Sequence, residues 1–167
     1  MRGRRSDAAD ARETALALLA RRSHTTRELS QKLSRRGFSP SEISSVVEDF
    51  VARGYLDDAN VASAMAAAQA GKGRGKARIA SELSHRGVSS ADRERALAGL
   101  DPEAERQALR RALEKKARSL PAGLTPKARS KKLFDHLVRR GFAPGAVLEA
   151  LHRKGETSDD DIPGVDV

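Results

Sequence analysis

Apolar residues along this chain recur three and four positions apart and nowhere alternate, which is the period of an amphipathic helix rather than a strand. Ile43, Val46, Val47 and Phe50 form the clearest stripe. Leu16, Leu19 and Ala20 mark an earlier helix that ends around Arg22. Leu29 with Leu33, Ile79 with Leu83, and Leu133 with Leu137 stand four residues apart. Leu97 and Leu100, then Ala104, Ala108, Leu109 and Leu113, then Val147, Leu148 and Leu151 mark three more helices. The pattern predicts an all-α fold.

The polar punctuation between these stripes repeats. Leu33-Ser-Arg-Arg-Gly37-Phe38-Ser39-Pro40 returns as Leu83-Ser-His-Arg-Gly87-Val88-Ser89-Ser90 and as Leu137-Val-Arg-Arg-Gly141-Phe142-Ala143-Pro144. The glycines are 50 and 54 positions apart, a period that signals tandem supersecondary units rather than one monolithic core. Gly37, Gly87 and Gly141 suit the C′ position of a helix, where the left-handed conformation is cheapest for glycine. Ser39 suits an N-cap and Pro40 the N1 position behind it. Thr25 or Thr26, Asp57 or Asp58, Asp101-Pro102 and Thr125-Pro126 mark further helix starts, and Gly54 marks a stop. One unit is therefore three helices. The predicted organisation is a mobile basic arm over 1–10, three-helix repeats over 11–54, 55–100 and 101–154, and an acidic tail over 155–167.

Composition narrows the chemistry. Trp and Cys are absent and aromatics make up 3% of the 167 residues, so Leu and Ala must do the packing. Without cysteine there are no disulfides, thiolate nucleophiles or zinc–cysteine sites, and a reducing cytoplasm is the expected compartment. The apolar run from Ala15 to Ala20 is too short for a signal peptide, and nothing approaches a membrane span.

Catalytic and cofactor motifs do not assemble. Gly71-Lys-Gly-Arg-Gly75-Lys76-Ala77 suggests a phosphate loop, but only three residues separate its outer glycines and Ala77 replaces the metal-binding hydroxyl. It reads instead as a flexible basic loop between helices. His24, His85, His136 and His152 show no metal-ligand spacing, and Asp57-Asp58 is better read as a helix cap. No cofactor and no enzymatic activity are expected.

Charge is the stronger signal. Net charge is +9, which favours a polyanion or an acidic protein surface as partner. Lys72, Arg74, Lys76, Arg78 and Arg86 gather in the second repeat. Arg106, Arg110, Arg111, Lys115, Lys116 and Arg118 line the third repeat's first helix, and Lys127, Arg129, Lys131, Lys132, Arg139 and Arg140 its second. Between 103 and 140, twelve basic residues face four acidic ones. Such a surface gives salt-dependent contact with phosphates. Three-helix units raise the helix-turn-helix readers of DNA, whose later helix enters the major groove. Here the first repeat's third helix carries Glu42, Glu48 and Asp49, so phosphate repels it and sequence-specific readout is disfavoured. The tail, with Glu156, Asp159, Asp160, Asp161 and Asp166, is either a solvated appendage or an internal competitor that shields the basic face.

Together, the threefold Leu-x-x-Arg-Gly stretch, Gly54-Tyr-Leu-Asp-Asp58 and Gly73-x-Gly-x-x-x-x-Ile79-x-x-Glu-Leu83-x-x-Arg-Gly87 resemble the RecX family of bacterial recombinase regulators. The likeness covers about residues 14–153, and Asn60-Val61-Ala62 departs from it where many members carry an aromatic residue. The resemblance implies helix-turn-helix-like repeats in an elongated, curved, cytoplasmic monomer. It also implies binding in the groove of a RecA–DNA filament, with inhibition of strand exchange, ATP hydrolysis and co-protease activity, and hence a place in DNA repair, recombination and the SOS response. A stand-alone, non-sequence-specific DNA-binding module, contacting single- or double-stranded DNA, and a helical adaptor for another protein are the alternatives.

Overall fold

The computed structural model describes residues 8–157, and every regular element among them is a helix. The first repeat holds α1 (Ala8–Leu19), α2 (Thr26–Ser34) and α3 (Pro40–Ala52). The second holds α4 (Asp58–Gly71), α5 (Lys76–His85) and α6 (Ser90–Ala98), and the third α7 (Pro102–Arg118), α8 (Pro126–Arg139) and α9 (Pro144–Arg153). The described residues pack as two compact units, 8–65 with 83–96 and 66–82 with 97–157, so the middle repeat contributes to both.

In the first unit α1, α2 and α3 pack on one another around Ala11, Ala15, Leu18, Leu29, Leu33, Val46, Phe50 and Leu56. In the second unit α7, α8 and α9 enclose Ala108, Leu109, Ala112, Leu113, Leu133, Leu137, Phe142, Val147 and Leu151. The first helix of each core is alanine-rich on its buried side. That displaces the expected face of α1: Leu16 and Ala20 are exposed, while Ala11, Ala15 and Leu18 are buried. A small side chain lets the helix axes approach closely, so the larger leucine is the one left outside.

The helix starts follow capping chemistry. Thr25 Oγ1 accepts the Glu28 N–H at 3.2 Å while the Glu28 carboxylate accepts the Thr25 N–H at 3.3 Å, and Ser39 with Glu42 makes the same reciprocal box. Thr125 and Asp101 cap α8 and α7 with proline behind them. Of the two aspartates before α4, Asp57 accepts the Asn60 N–H at 2.9 Å. Asp58 turns away and accepts the Thr26 N–H at 2.7 Å, at the start of α2.

The thrice-repeated stretch resolves into one backbone motif. Phe38 N–H reaches the Leu33 carbonyl and Gly37 N–H the Ser34 carbonyl, with Gly37 at φ +89°. Val88–Leu83 with Gly87–Ser84, and Phe142–Leu137 with Gly141–Val138, repeat the pairing. This is the Schellman termination: Leu at C3, Gly at C′, and an apolar residue at C″ that packs back on the Leu. Leu137 and Phe142 accordingly share the second core, and Phe38 packs against the core containing Leu33.

Three expectations change at the margins. Residues 8–10, assigned to the basic arm, are helical, and residues 1–7 lie outside the described residues. The 71–75 segment is not a free loop: Gly73 at φ +71° ends α4, and the segment is bound to the corner after α8. Gly155 and Glu156, assigned to the acidic tail, close α9 through bonds to the His152 and Leu151 carbonyls; residues 158–167 lie outside the described residues.

Candidate nucleic-acid interface

Position four before Leu29, Ile79 and Leu133 is a docking point in all three repeats, occupied by Thr25, Gly75 and Arg129. In the first unit, Thr25 Oγ1 donates to the Arg86 carbonyl at 2.6 Å. The Arg86 guanidinium grips Glu28 through both nitrogens, Nε to Oε1 and Nη2 to Oε2, each at 2.8 Å. Burial alone would push the Glu28 carboxyl up, but the bonds from Arg86, Arg22 and the Thr25 N–H overcome it and hold the carboxyl at about 2. His24, buried beside this cluster, is pushed below the usual imidazole range by desolvation and by Arg22 and Lys32.

The second unit uses the same point differently. The Gly75 N–H donates to the Arg140 carbonyl at 2.9 Å, and the Ala77 N–H to the Gly141 carbonyl at 3.1 Å. Arg140 in turn donates to the Gly73 carbonyl at 2.8 Å and the Lys72 carbonyl at 3.1 Å. Backbone meets backbone here, and a Cβ on Gly75 would overlap the Gly141–Phe142 peptide. At α8, Arg129 binds the Glu156 carboxylate at 2.6 and 3.1 Å, and Ser130 Oγ donates to the Glu156 carbonyl. Arg129 holds the Glu156 carboxyl below its usual range against the opposing effect of burial.

These contacts sort the basic residues singled out by sequence. Arg86 and Arg140 are structural clamps, and Arg129 is tied to Glu156. Arg74 and Arg78 both pair with Glu82. Lys76 pairs with Glu105 at 3.4 Å, Arg110 with Glu103 at 3.1 Å, and Lys131 with Asp135 at 3.7 Å. Lys72, Arg111, Lys115, Lys116, Arg118, Lys127, Lys132 and Arg139 have no ion pair among the described residues. Arg86 belongs to the first unit and every other candidate to the second.

The charge divides the same way. Over residues 8–157 the first unit holds eleven Lys and Arg against ten Asp and Glu, a net +1, and the second holds eighteen against eight, a net +10. Within the second unit, Arg129, Lys132, His136 and Arg139 recur at i, i+3, i+7 and i+10, forming one stripe along α8. Desolvation, then the charges of Lys116 on α7, Arg140 just past the end of α8 and Arg139 in its last turn, push His136 below the usual imidazole range. Imidazole among like charges is therefore neutral at pH 7. Sequence spacing alone did not single out His136; its position four residues after Lys132 and three before Arg139 on one helix was the available signal.

Three family models match the chain in order: the RecX first three-helix domain over residues 11–50, the second over 57–97 and the third over 103–151. The chain belongs to the RecX family. It is 37% identical over 149 residues to the regulatory protein RecX of Halorhodospira halophila (strain DSM 244 / SL1), covering 89% of this chain and 90% of that relative. The regulatory protein RecX of Xanthomonas axonopodis pv. citri (strain 306) is 33% identical over 152 residues, with 89% and 90% covered. The fold matches the crystal structure of RecX from Lactobacillus salivarius at a TM-score of 0.81 and 18% identity, over 90% of this chain and 97% of that one. RecX is a regulatory family, and the expectation of three tandem three-helix domains holds. Among the described residues no helix is long and apolar enough to cross a membrane, and no group of three or more His, Asp or Glu residues could hold a metal.

Proposed function

We propose that this chain binds the RecA recombinase filament on DNA and restrains recombinase activity, with the unpaired cations of α7 and α8 set against phosphate or acidic protein. Membership of the RecX family across nearly the whole chain carries this reading. The net +10 of the second unit supports its placement there rather than on the first. Among the described residues Lys116, Lys132 and Arg139 have no ion pair to surrender, so contact with a polyanion there costs their hydration and releases counterions. Arg140 contributes indirectly, by fixing the corner that ends α8.

The test is DNA-dependent ATP hydrolysis by purified RecA, titrated with this protein from substoichiometric to equimolar ratios. Hydrolysis is expected to fall, and the Lys116→Glu/Lys132→Glu/Arg139→Glu variant is expected to lose the effect while keeping its helicity. No effect of the wild-type chain at any ratio overturns the reading. Salt-sensitive binding to naked DNA without any effect on RecA favours a stand-alone DNA-binding module instead.

A further inference from the structure

We infer that the groove between α7 and α9 is a docking site for a protein segment that inserts one aromatic side chain flanked by carboxylates. The inference goes beyond the recombinase reading and stands without it.

Two seams built from the same repeat differ here. The third helix of the first repeat starts behind its corner at Pro40, and that of the third repeat at Pro144. Counted from these prolines, Val46 corresponds to Ala150, Asp49 to Arg153 and Phe50 to Lys154. In the first repeat these positions close the seam with the first helix. Val46 and Phe50 are buried, Arg12 of α1 donates to the Asp49 carboxylate at 2.5 Å, and its guanidinium lies 5.6 Å from the centroid of the Phe50 ring. In the third repeat each closure is missing. Alanine stands in place of valine, and α9 ends after ten residues where α3 runs for thirteen, so the helical turn that carries Phe50 has no counterpart. Arg153 pairs with Glu149 of its own helix at 2.6 Å instead of crossing to α7.

A groove of about 410 Å³ is left between the two helices. Leu109 and Leu113 of α7 and Ala146 and Ala150 of α9 form its apolar floor. The volume falls in the range of binding clefts, about 300–1,000 Å³. It holds a phenylalanine side chain with part of the turn that carries it, which is what Phe50 and its turn supply in the first repeat. A single aromatic anchor in such a cleft is the usual core of a protein–protein contact.

Charge selects the neighbours of that side chain. The mouth carries Arg106, Arg110, Arg153 and Lys154 against Glu103, Glu114 and Glu149, within a unit of net +10. Glu103 is shared by Arg106 and Arg110, and Glu149 is taken by Arg153. Lys154 and Glu114 have no ion pair among the described residues. Lys154, at the position of Phe50, offers its cation to a carboxylate beside the inserted ring. Glu114 repels carboxylates from its own stretch of α7, so the two unpaired charges orient the segment. Nucleic acid suits the groove less well, because three carboxylates at the mouth oppose phosphate and the floor is apolar.

The test titrates the full-length protein, labelled at its Ala and Leu methyl groups, with a short peptide that carries one phenylalanine between aspartates, and with its alanine counterpart. Shifts are expected at the methyls of Leu109, Leu113, Ala146 and Ala150, with the phenylalanine peptide bound on the order of tenfold more tightly than the alanine one. Ala150→Val/Lys154→Phe, which restores the first repeat's residues, is expected to abolish that preference while affinity for a fluorescent single-stranded oligonucleotide changes by less than about twofold. Ala146→Glu, at an exposed position, alters the mouth without repacking the floor and is expected to weaken the phenylalanine peptide by about fivefold. Equal affinity for the two peptides, or binding of neither at millimolar concentration, overturns the site. Shifts confined to α8 also overturn it, since the cationic stripe alone then holds the peptide. Methyl shifts at Ala146 and Ala150 on adding the oligonucleotide would give the groove to nucleic acid instead of protein.

Discussion

The first compact unit carries eleven cations against ten acidic groups and the second eighteen against eight, although both are assembled from the same three-helix repeat with the same Schellman corners. The equivalent corner arginines show how this comes about. Arg86 meets a carboxylate, Glu28, and its charge is cancelled inside the fold. Arg140 meets only neutral carbonyls of Lys72 and Gly73, so its charge is retained. The repeat thus specifies a guanidinium at the corner without specifying its counter-charge. Cores and corners are held constant while the charge of the surface varies, which is how one architecture yields a nearly neutral unit and a polycationic one.

The comparison is most strongly broken at the glycines. In the second unit Gly141 combines φ +89° with backbone contact to Arg78, so Gly141→Ala is expected to cost about 3 kcal/mol or more in urea unfolding. Gly37 in the first unit has the same φ, and a Cβ added there would meet nothing within 4 Å. Gly37→Ala is therefore expected to cost only about 1–2 kcal/mol, the left-handed penalty alone. Equal losses at the two sites would show that the corners are not docked differently.

Next comes the clamp itself. Arg86→Ala leaves the Glu28 carboxylate with Arg22 as its one remaining guanidinium partner, and a loss of about 2 kcal/mol at pH 7 is expected. Its pH dependence carries the signature. The folded-state pKa of Glu28 lies near 2, below the ordinary 4.5, so its contribution is fully present above about 4.5 and drains away as pH falls toward 2. Wild type and Arg86→Ala should therefore converge in stability as the pH is lowered across that window; parallel curves would sink the assignment.

Arg139→Ala is the matching change in the second unit. Stability should move by under about 0.5 kcal/mol, because no partner is orphaned. The slope of log affinity for single-stranded DNA against log salt should instead become shallower by about 0.7. The smallest effect belongs to His136. Its folded pKa is depressed, so the unfolded chain takes up the proton first and stability declines as pH falls below about 6.5. His136→Gln should flatten that decline, while polyanion binding by the wild type should tighten as pH falls, through proton uptake beside the phosphate.

Helix period, the corner glycines and the capping residues are legible in the sequence because each depends on neighbours within five positions. Leu33, Gly37 and Phe38 declare a Schellman turn without any knowledge of the rest of the chain. The roles of the cations are not legible in that way. Arg86 and Glu28 are 58 positions apart, and Arg140 is 67 from Gly73; both contacts exist only once the repeats have packed. The same holds for α1, where alanine and leucine compete for the inner face and helix separation decides between them. Glu156 reads as part of an acidic tail in the sequence because its partner, Arg129, lies 27 positions upstream.

The bonded Gly75 and Ala77 amides bear on how the second unit opens. First-turn amides of a helix have no acceptor within it and ordinarily exchange with solvent within the native state. Here they are tied to the Arg140 and Gly141 carbonyls, at the far end of another repeat's second helix. Their exchange with deuterium is therefore governed by separation of that corner from α5, not by fraying of α5, and these two amides serve as a built-in gauge of how often the second unit comes apart.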